Sequence, residues 1–250
     1  MSGALYNGER RDHMKAKVAV LIPTLNEEAT IGCVIDRIPV DQLSSEGYDA
    51  VVYVIDGDSE DATQQRALER GAKILPVKQP GKGAAMQHAF ASINADYFIM
   101  IDGDNTYPPE RITDFVRLLE TYDVVLGSRL KGRIEEGAMT RTNTLGNRAL
   151  TLMARILFRK TITDLCTGFW GYRGRVIDDM ALVAQGFEIE ADMFVECARH
   201  GFKIGELAID YSKRVDQPKL SSISDGLKIG LFLLKRWMMS GGQEPRELLT

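Results

Sequence analysis

Four strand-like segments, at residues 17–23, 50–55, 73–77 and 97–101, each give way to an acidic or glycine-rich segment and then to apolar residues at helical spacing. That rhythm constrains the fold more than any other feature of the chain. Apolar runs without alternation read as strands buried on both faces. Helices between successive strands force parallel pairing through right-handed crossovers. The expected fold is α/β, with a mostly parallel central sheet and helices on both faces. Every segment that follows a strand then lies along one edge of that sheet, where open α/β sheets place their ligands.

The helices expected between these strands cover 29–38 (Ile31, Val34, Ile35 and Ile38 on one face, stopped by Pro39), 63–70 (capped by Ser59 or Asp61), a stretch through Met86, Ala89, Phe90 and Ile93, and 109–121. Beyond Asp123 the rhythm changes. Residues 124–129 read as a strand ending in Arg129, and 130–142 as a mobile loop without periodicity. Residues 147–158 form an amphipathic helix, 163–172 a turn-rich segment with a short strand, and 186–200 a helix. Residues 203–211 are strand-like, 213–220 a flexible tract, and 225–239 a last helix. No linker or repeat divides the 250 residues, so one elaborated domain is expected over 17–226, with 1–16 as a flexible lead-in and 225–240 as a C-terminal amphipathic helix.

The fourth run ends in Asp102-Gly-Asp104, stopped by Pro108-Pro109. Two carboxylates at the tip of an interior strand suit Mg²⁺ or Mn²⁺, hard ions that take one or two carboxylates and complete their shell with water and substrate phosphates. Other functions are disfavoured. A net charge of −4 gives no basic field for nucleic acid. Three scattered cysteines offer no zinc pattern and fit a reduced, cytoplasmic setting. The lead-in lacks a signal peptide's apolar core, and no run approaches the roughly 20 residues of a membrane span.

Ile22-Pro-Thr-Leu-Asn-Glu-Glu28, Val54-Ile-Asp-Gly-Asp-Ser-Glu-Asp-Ala-Thr63, Gly81-Lys-Gly83, Asp102-Gly-Asp104 and Gly127-Ser-Arg129 stand in the order typical of family 2 glycosyltransferases with the A-type fold. Thr167-Gly-Phe169, Gly186-Phe-Glu-Ile-Glu190 and Arg214…Lys219-Leu220…Asp225-Gly226 resemble the branch that glycosylates dolichyl or polyprenyl phosphate. The resemblance spans about 18–226, and implies a nucleotide-sugar half (17–128) and an acceptor half (129–226).

The resemblance further implies that Pro23, Thr24, Leu25, Glu27, Asp56 and Asp58 hold the base and ribose, with Lys82, Gly83, Asp102 and Gly103 completing the donor site. Asp102 and Asp104 are the metal ligands by the same likeness. Where some relatives carry a third, amide ligand, this chain has Thr106, so water takes that place. Catalysis falls to Asp104, Arg129, Arg214 and Glu190, and Arg129, Arg141, Arg214 and Lys219 face the acceptor phosphate. A phosphate acceptor is already largely dianionic at neutral pH and needs cations rather than a base. A hydroxyl acceptor would need a carboxylate base, for which Glu188 and Glu190 are the candidates.

The implied activity is an inverting, Mg²⁺- or Mn²⁺-dependent transfer from a UDP- or GDP-linked sugar to polyprenyl phosphate, peripheral on the cytosolic face of the membrane. Helices 147–158 and 225–239, each with an apolar stripe and basic flanks, would meet the lipid or pack into the core. A soluble acceptor such as phosphoglycerate and a non-catalytic scaffold of the same fold are the alternatives. A homo-oligomer is left open.

Overall fold

The computed structural model describes residues 15–215 and 222–239. Seven strands form one sheet in the order β3-β2-β1-β4-β6-β5-β7. They are β1 (Ala16–Thr24), β2 (Tyr48–Asp56), β3 (Lys73–Pro76), β4 (Tyr97–Met100), β5 (Val124–Ser128), β6 (Trp170–Arg173) and β7 (Ile204–Ala208). All neighbours are parallel except where β6 runs antiparallel to both β4 and β5. The mostly parallel α/β fold is as expected. The insertion of β6 between the fourth and fifth strands is not visible in the alternation of runs and helices.

Side-chain alternation along β1 explains the two faces. Val18, Val20 and Ile22 belong to one core cluster, Ala19 and Leu21 to the other, and all five are buried. The first cluster lies beneath α1 (Ile31–Asp36), α2 (Val40–Ser45), α3 (Thr63–Leu68) and α5 (Ile112–Leu119). The second lies beneath α4 (Lys82–Ser92), α6 (Arg141–Phe158), α8 (Ile189–Arg199) and α9 (Ser222–Met239). A short α7 (Gly174–Asp179) follows β6.

Several boundaries differ from expectation for local reasons. The first helix is shorter than expected, ending at Asp36 with Arg37 as its C-cap, and Pro39 instead caps the separate α2, a position where its missing N–H costs nothing. Ala16, assigned to the lead-in, already pairs with Tyr48 in the sheet. The segment at 130–142 is anchored rather than loose. Tyr211 N donates to Arg133 O and Glu135 N to Tyr211 O, both at 2.9 Å. Helix α6 begins six residues earlier than periodicity suggested, because Thr140 Oγ1 accepts from Asn143 N at 3.1 Å and supplies an N-cap.

Candidate active site

The carboxyl ends of β1, β2, β4 and β5 open into one cavity of ≈ 480 Å³, at the point where strand order reverses around β1. Pro23, Thr24, Leu25 and Glu27 line it from the loop after β1 and Gly57 from the loop after β2. Asp102, Gly103 and Asp104 enter after β4, Arg129 after β5, Lys82 from the start of α4 and Glu190 from α8. Arg214 closes the rim from the segment beyond β7. Most of the residues expected to form the site therefore converge.

The cavity is organised by paired charges. Lys82 Nζ lies 2.6 Å from both Asp102 Oδ1 and Glu190 Oε1. Burial alone would lower the Lys82 ammonium, but the two carboxylates outweigh it and hold its pKa above the ordinary lysine value. Burial pushes Glu190 up, and Lys82 only partly offsets this. Asp104 Oδ1 accepts from Thr106 N at 3.1 Å and Thr106 Oγ1 at 2.6 Å, while Oδ2 lies 3.1 Å from Arg214 Nη1. Burial and the Asp102 charge raise Asp104 despite Thr106 and Arg214. Arg214 Nη2 donates to Glu27 Oε1 at 2.9 Å.

Other expected residues are placed differently. Arg129 lines the cavity, but its fork is committed: Nε and Nη2 donate to the two oxygens of buried Asp164 at 2.8 and 2.7 Å, and Nη2 also to Cys166 O. Its guanidinium lies over the Tyr211 ring, 5.2 Å from the centroid. Asp56 is fully buried and already accepts from Thr24 Oγ1, from Ser59 through both N and Oγ, and from Gln64 Nε2. Those bonds brace the β1 and β2 loops against each other, and Asp56 does not line the cavity. Asp58 is exposed, as is Arg141 at the first turn of α6, and neither lines the cavity. Lys219 lies outside the described residues.

The glycines beside Lys82 serve the chain's own packing. A Cβ on Gly81 would stand 2.2 Å from Gln185 O, and one on Gly83 2.2 Å from Ala184 O. The backbone at Gly81 and Gly83 therefore lies close against residues 184–185, which fixes where Lys82 begins.

Sequence reasoning missed Asp164, Asn147, Tyr107, Tyr211, Phe187 and Ile229. Asn147 Nδ2 donates to Asp164 Oδ1 at 2.6 Å, completing that carboxylate's partners. Tyr107, Tyr211, Phe187 and Ile229 supply the cavity's apolar wall. Asp164 lay inside a turn-rich segment, where an aspartate ordinarily signals a turn. What distinguishes it is its partners, Arg129 and Asn147, 35 and 17 residues away.

Gly168 gives a direct test of Asp102. A Cβ there would stand 2.0 Å from Asp102 Oδ2 and 2.5 Å from its Cγ. Gly168→Ala should displace Asp102 and lower sugar transfer about tenfold or more, a barrier change of about 1.4 kcal/mol. The melting temperature reports whether the fold survives, and full activity in a folded variant would remove Asp102 from the chemistry.

Two acids on the cavity wall, with hard oxygen donors and an open side, fit a Mg²⁺ or Mn²⁺ ion that keeps water and substrate oxygens in its shell. Among the described residues no group of three or more His, Cys, Asp or Glu side chains converges on a metal position. The residues that would face such an ion are the Asp102 and Asp104 pair. A strand-edge acid pair at the reversal point of a doubly wound sheet is where open α/β folds bind their ligands.

The chain belongs to glycosyl transferase family 2, whose pattern residues 19–180 match. It is 37% identical over 223 residues to glycosyltransferase AglJ of Haloferax volcanii, covering 88% of this chain and 71% of that protein. It is 33% identical over 222 residues to a dolichyl-phosphate hexose transferase of the same organism, covering 87% and 92%. Its fold matches glucosyl-3-phosphoglycerate synthase of Mycobacterium tuberculosis in complex with Mn²⁺, UDP and glucosyl-3-phosphoglycerate, with a TM-score of 0.67 at 22% identity over 93% of this chain and 82% of that one. The protein is a glycosyltransferase.

Proposed function

We propose that this enzyme transfers a hexose, with inversion, from a nucleoside diphosphate-sugar to a polyprenyl or dolichyl phosphate. The observation that carries this reading is that, among the described residues, every carboxylate lining the cavity is paired. Glu27 and Asp104 engage Arg214, and Asp102 and Glu190 engage Lys82. A hydroxyl acceptor requires a free carboxylate base. Glu190, the best placed candidate, is held by Lys82 at 2.6 Å. A phosphate dianion needs no proton removed. One of its oxygens bonds to the anomeric carbon as the bond to the diphosphate oxygen breaks, and the electron pair leaves with the nucleoside diphosphate.

Asp102 and Asp104 would hold a Mg²⁺ or Mn²⁺ ion, which supplies Lewis-acid stabilisation of the departing diphosphate. Arg214 orients phosphate oxygens at the rim. Arg129 shapes the acceptor side through Asp164 and Tyr211, a positioning role rather than the direct phosphate contact first expected of it. The likeness to a dolichyl-phosphate hexose transferase supports the acceptor class. Incubation with labelled UDP- and GDP-sugars and either polyprenyl phosphate or phosphoglycerate tests it. Label should partition into the organic phase, and label remaining in water only with phosphoglycerate would reject the lipid acceptor.

The surface supports work at a bilayer. Helices α6 and α9 pack together, and each also carries apolar side chains away from the core. Leu145, Leu152 and Ile156 of α6 are exposed, as are Leu227, Leu231, Leu234 and Trp237 of α9, flanked by Arg148, Arg155, Lys228 and Lys235. No helix among the described residues is long and apolar enough to cross a membrane. Apolar side chains entering lipid contribute about 1.5–3 kcal/mol each. Leu231→Glu should therefore weaken co-sedimentation with anionic vesicles by about tenfold or more, at nearly unchanged melting temperature. Undiminished sedimentation would move the contact elsewhere.

A further inference from the structure

Arg214 sits where three parts of the site meet. Its Nη2 donates to Glu27 Oε1 at 2.9 Å, and its Nη1 stands 3.1 Å from Asp104 Oδ2. Glu27 comes from the loop after β1, Asp104 from the loop after β4, and the arginine from the segment beyond β7. The acids' side chains are 7% and 8% exposed, the arginine's 22%. The backbone leading to Arg214 is pinned: Ser212 N donates to Thr106 O and Lys213 N to Glu135 Oε2, both at 2.9 Å. The guanidinium is thus delivered between the acids by an anchored main chain. Its Nε, however, is buried without a hydrogen-bond partner among the described residues. A guanidinium serving only as structural glue would have that donor satisfied.

We propose that Arg214 is an internal cation that holds Asp104 while the site is empty and yields it to the divalent ion, turning its fork to the phosphate groups of the substrates. The proposal rests on the reading of Asp104 as a metal ligand. Asp104 has one oxygen occupied by Thr106, so Oδ2 is the atom it can offer the cavity, and Arg214 is on that atom. A small divalent ion binds oxygen at about 2.0–2.1 Å. A guanidinium on the same oxygen would face it with like charge at close range, so the two cations exchange.

The geometry lets the exchange happen without unfolding the rim. Glu27 remains a pivot through Nη2, while Nη1, once it leaves Asp104, and the unpartnered Nε each have an N–H to donate to phosphate oxygens. In the empty site the same contact keeps a buried carboxylate from standing uncompensated. Lys82 is not placed for such a swap. It spans Asp102 and Glu190 from the first residue of α4, and its anchor is packed against residues 184–185.

The test is Mn²⁺ binding to the full chain, read from the paramagnetic resonance signal of free Mn²⁺, with and without UDP or GDP. Without nucleotide, Arg214→Gln should bind Mn²⁺ about fivefold or more tightly than wild type. Lys213→Gln, which removes a neighbouring charge that does not touch Asp104, should stay within about twofold. With Mn²⁺ and the nucleotide that raises the melting temperature, the order should reverse, Arg214→Gln binding about fivefold more weakly. Arg214→Lys keeps the charge but cannot fork two acids, and should tighten Mn²⁺ alone about twofold. It carries the test if the glutamine variant does not fold. Equal Mn²⁺ affinity in wild type and both Arg214 variants, or the same gain in Lys213→Gln, overturns the exchange and leaves the metal site standing. Mn²⁺ binding by Asp104→Asn as tight as wild type removes the metal reading and the exchange together.

Discussion

Asp104→Asn should lower the turnover of sugar transfer about a thousandfold while leaving the fold intact, measured as labelled sugar reaching polyprenyl phosphate under saturating donor. Asparagine keeps the size of the side chain and can still meet Thr106, so the local turn survives. What it loses is the negative charge facing the cavity. Stabilisation of a departing diphosphate by a held divalent ion is worth several kcal/mol, and about 4 kcal/mol corresponds to about three powers of ten in rate. Burial and the neighbouring Asp102 push the Asp104 carboxyl up, and Thr106 and Arg214 only partly offset this. A loss of tenfold or less in a variant with unchanged melting temperature would mean that the leaving group is stabilised from elsewhere in the cavity.

The largest effect on stability is expected at Asp164. Asp164→Ala removes the carboxylate that accepts from Arg129 N, Nε and Nη2 and from Asn147 Nδ2. Asp164 is fully buried and Arg129 nearly so, which leaves an uncompensated guanidinium inside the protein. Breaking a buried pair from one side costs about 3–5 kcal/mol. For a chain of this size that is a fall of about 10 °C in melting temperature. Replacing both members, Arg129→Met with Asp164→Leu, should recover at least about half of the loss, since the cost lies in the orphaned charge rather than in the missing attraction. Calorimetry on the single and double variants separates the two. If the double variant is as unstable as the sum of the singles, the pair contributes through packing and not through charge.

Much of the site was legible because its parts are local. A five-residue apolar run followed by Asp102-Gly-Asp104 announces a strand tip with two carboxylates, whatever surrounds it. The sequence shows glycines at 81, 83 and 168 without showing what they approach, and each lies against the chain's own atoms: Gln185 O, Ala184 O and the Asp102 carboxylate. Asp56 is a similar case. It ends β2, but Ser59 and Gln64, three and eight residues on, turn toward it and use its oxygens. Arg141 illustrates the opposite error. It begins a helix where periodicity showed none, because Thr140 caps it, and so it faces solvent.

By itself the sequence determined the alternating layers, the common edge that collects the strand-end loops, and the acid pair on that edge. Those follow from spacing between residues a few positions apart, through the periods of strand and helix. Only the tertiary structure decided which charges neutralise one another. Lys82 meets Glu190 across 108 residues and Arg214 meets Glu27 across 187. It also decided that an antiparallel β6 separates β4 from β5. A charge far along the chain attracts any opposite charge, and nothing local singles one out. Strand order and register bring one pair together and exclude the rest.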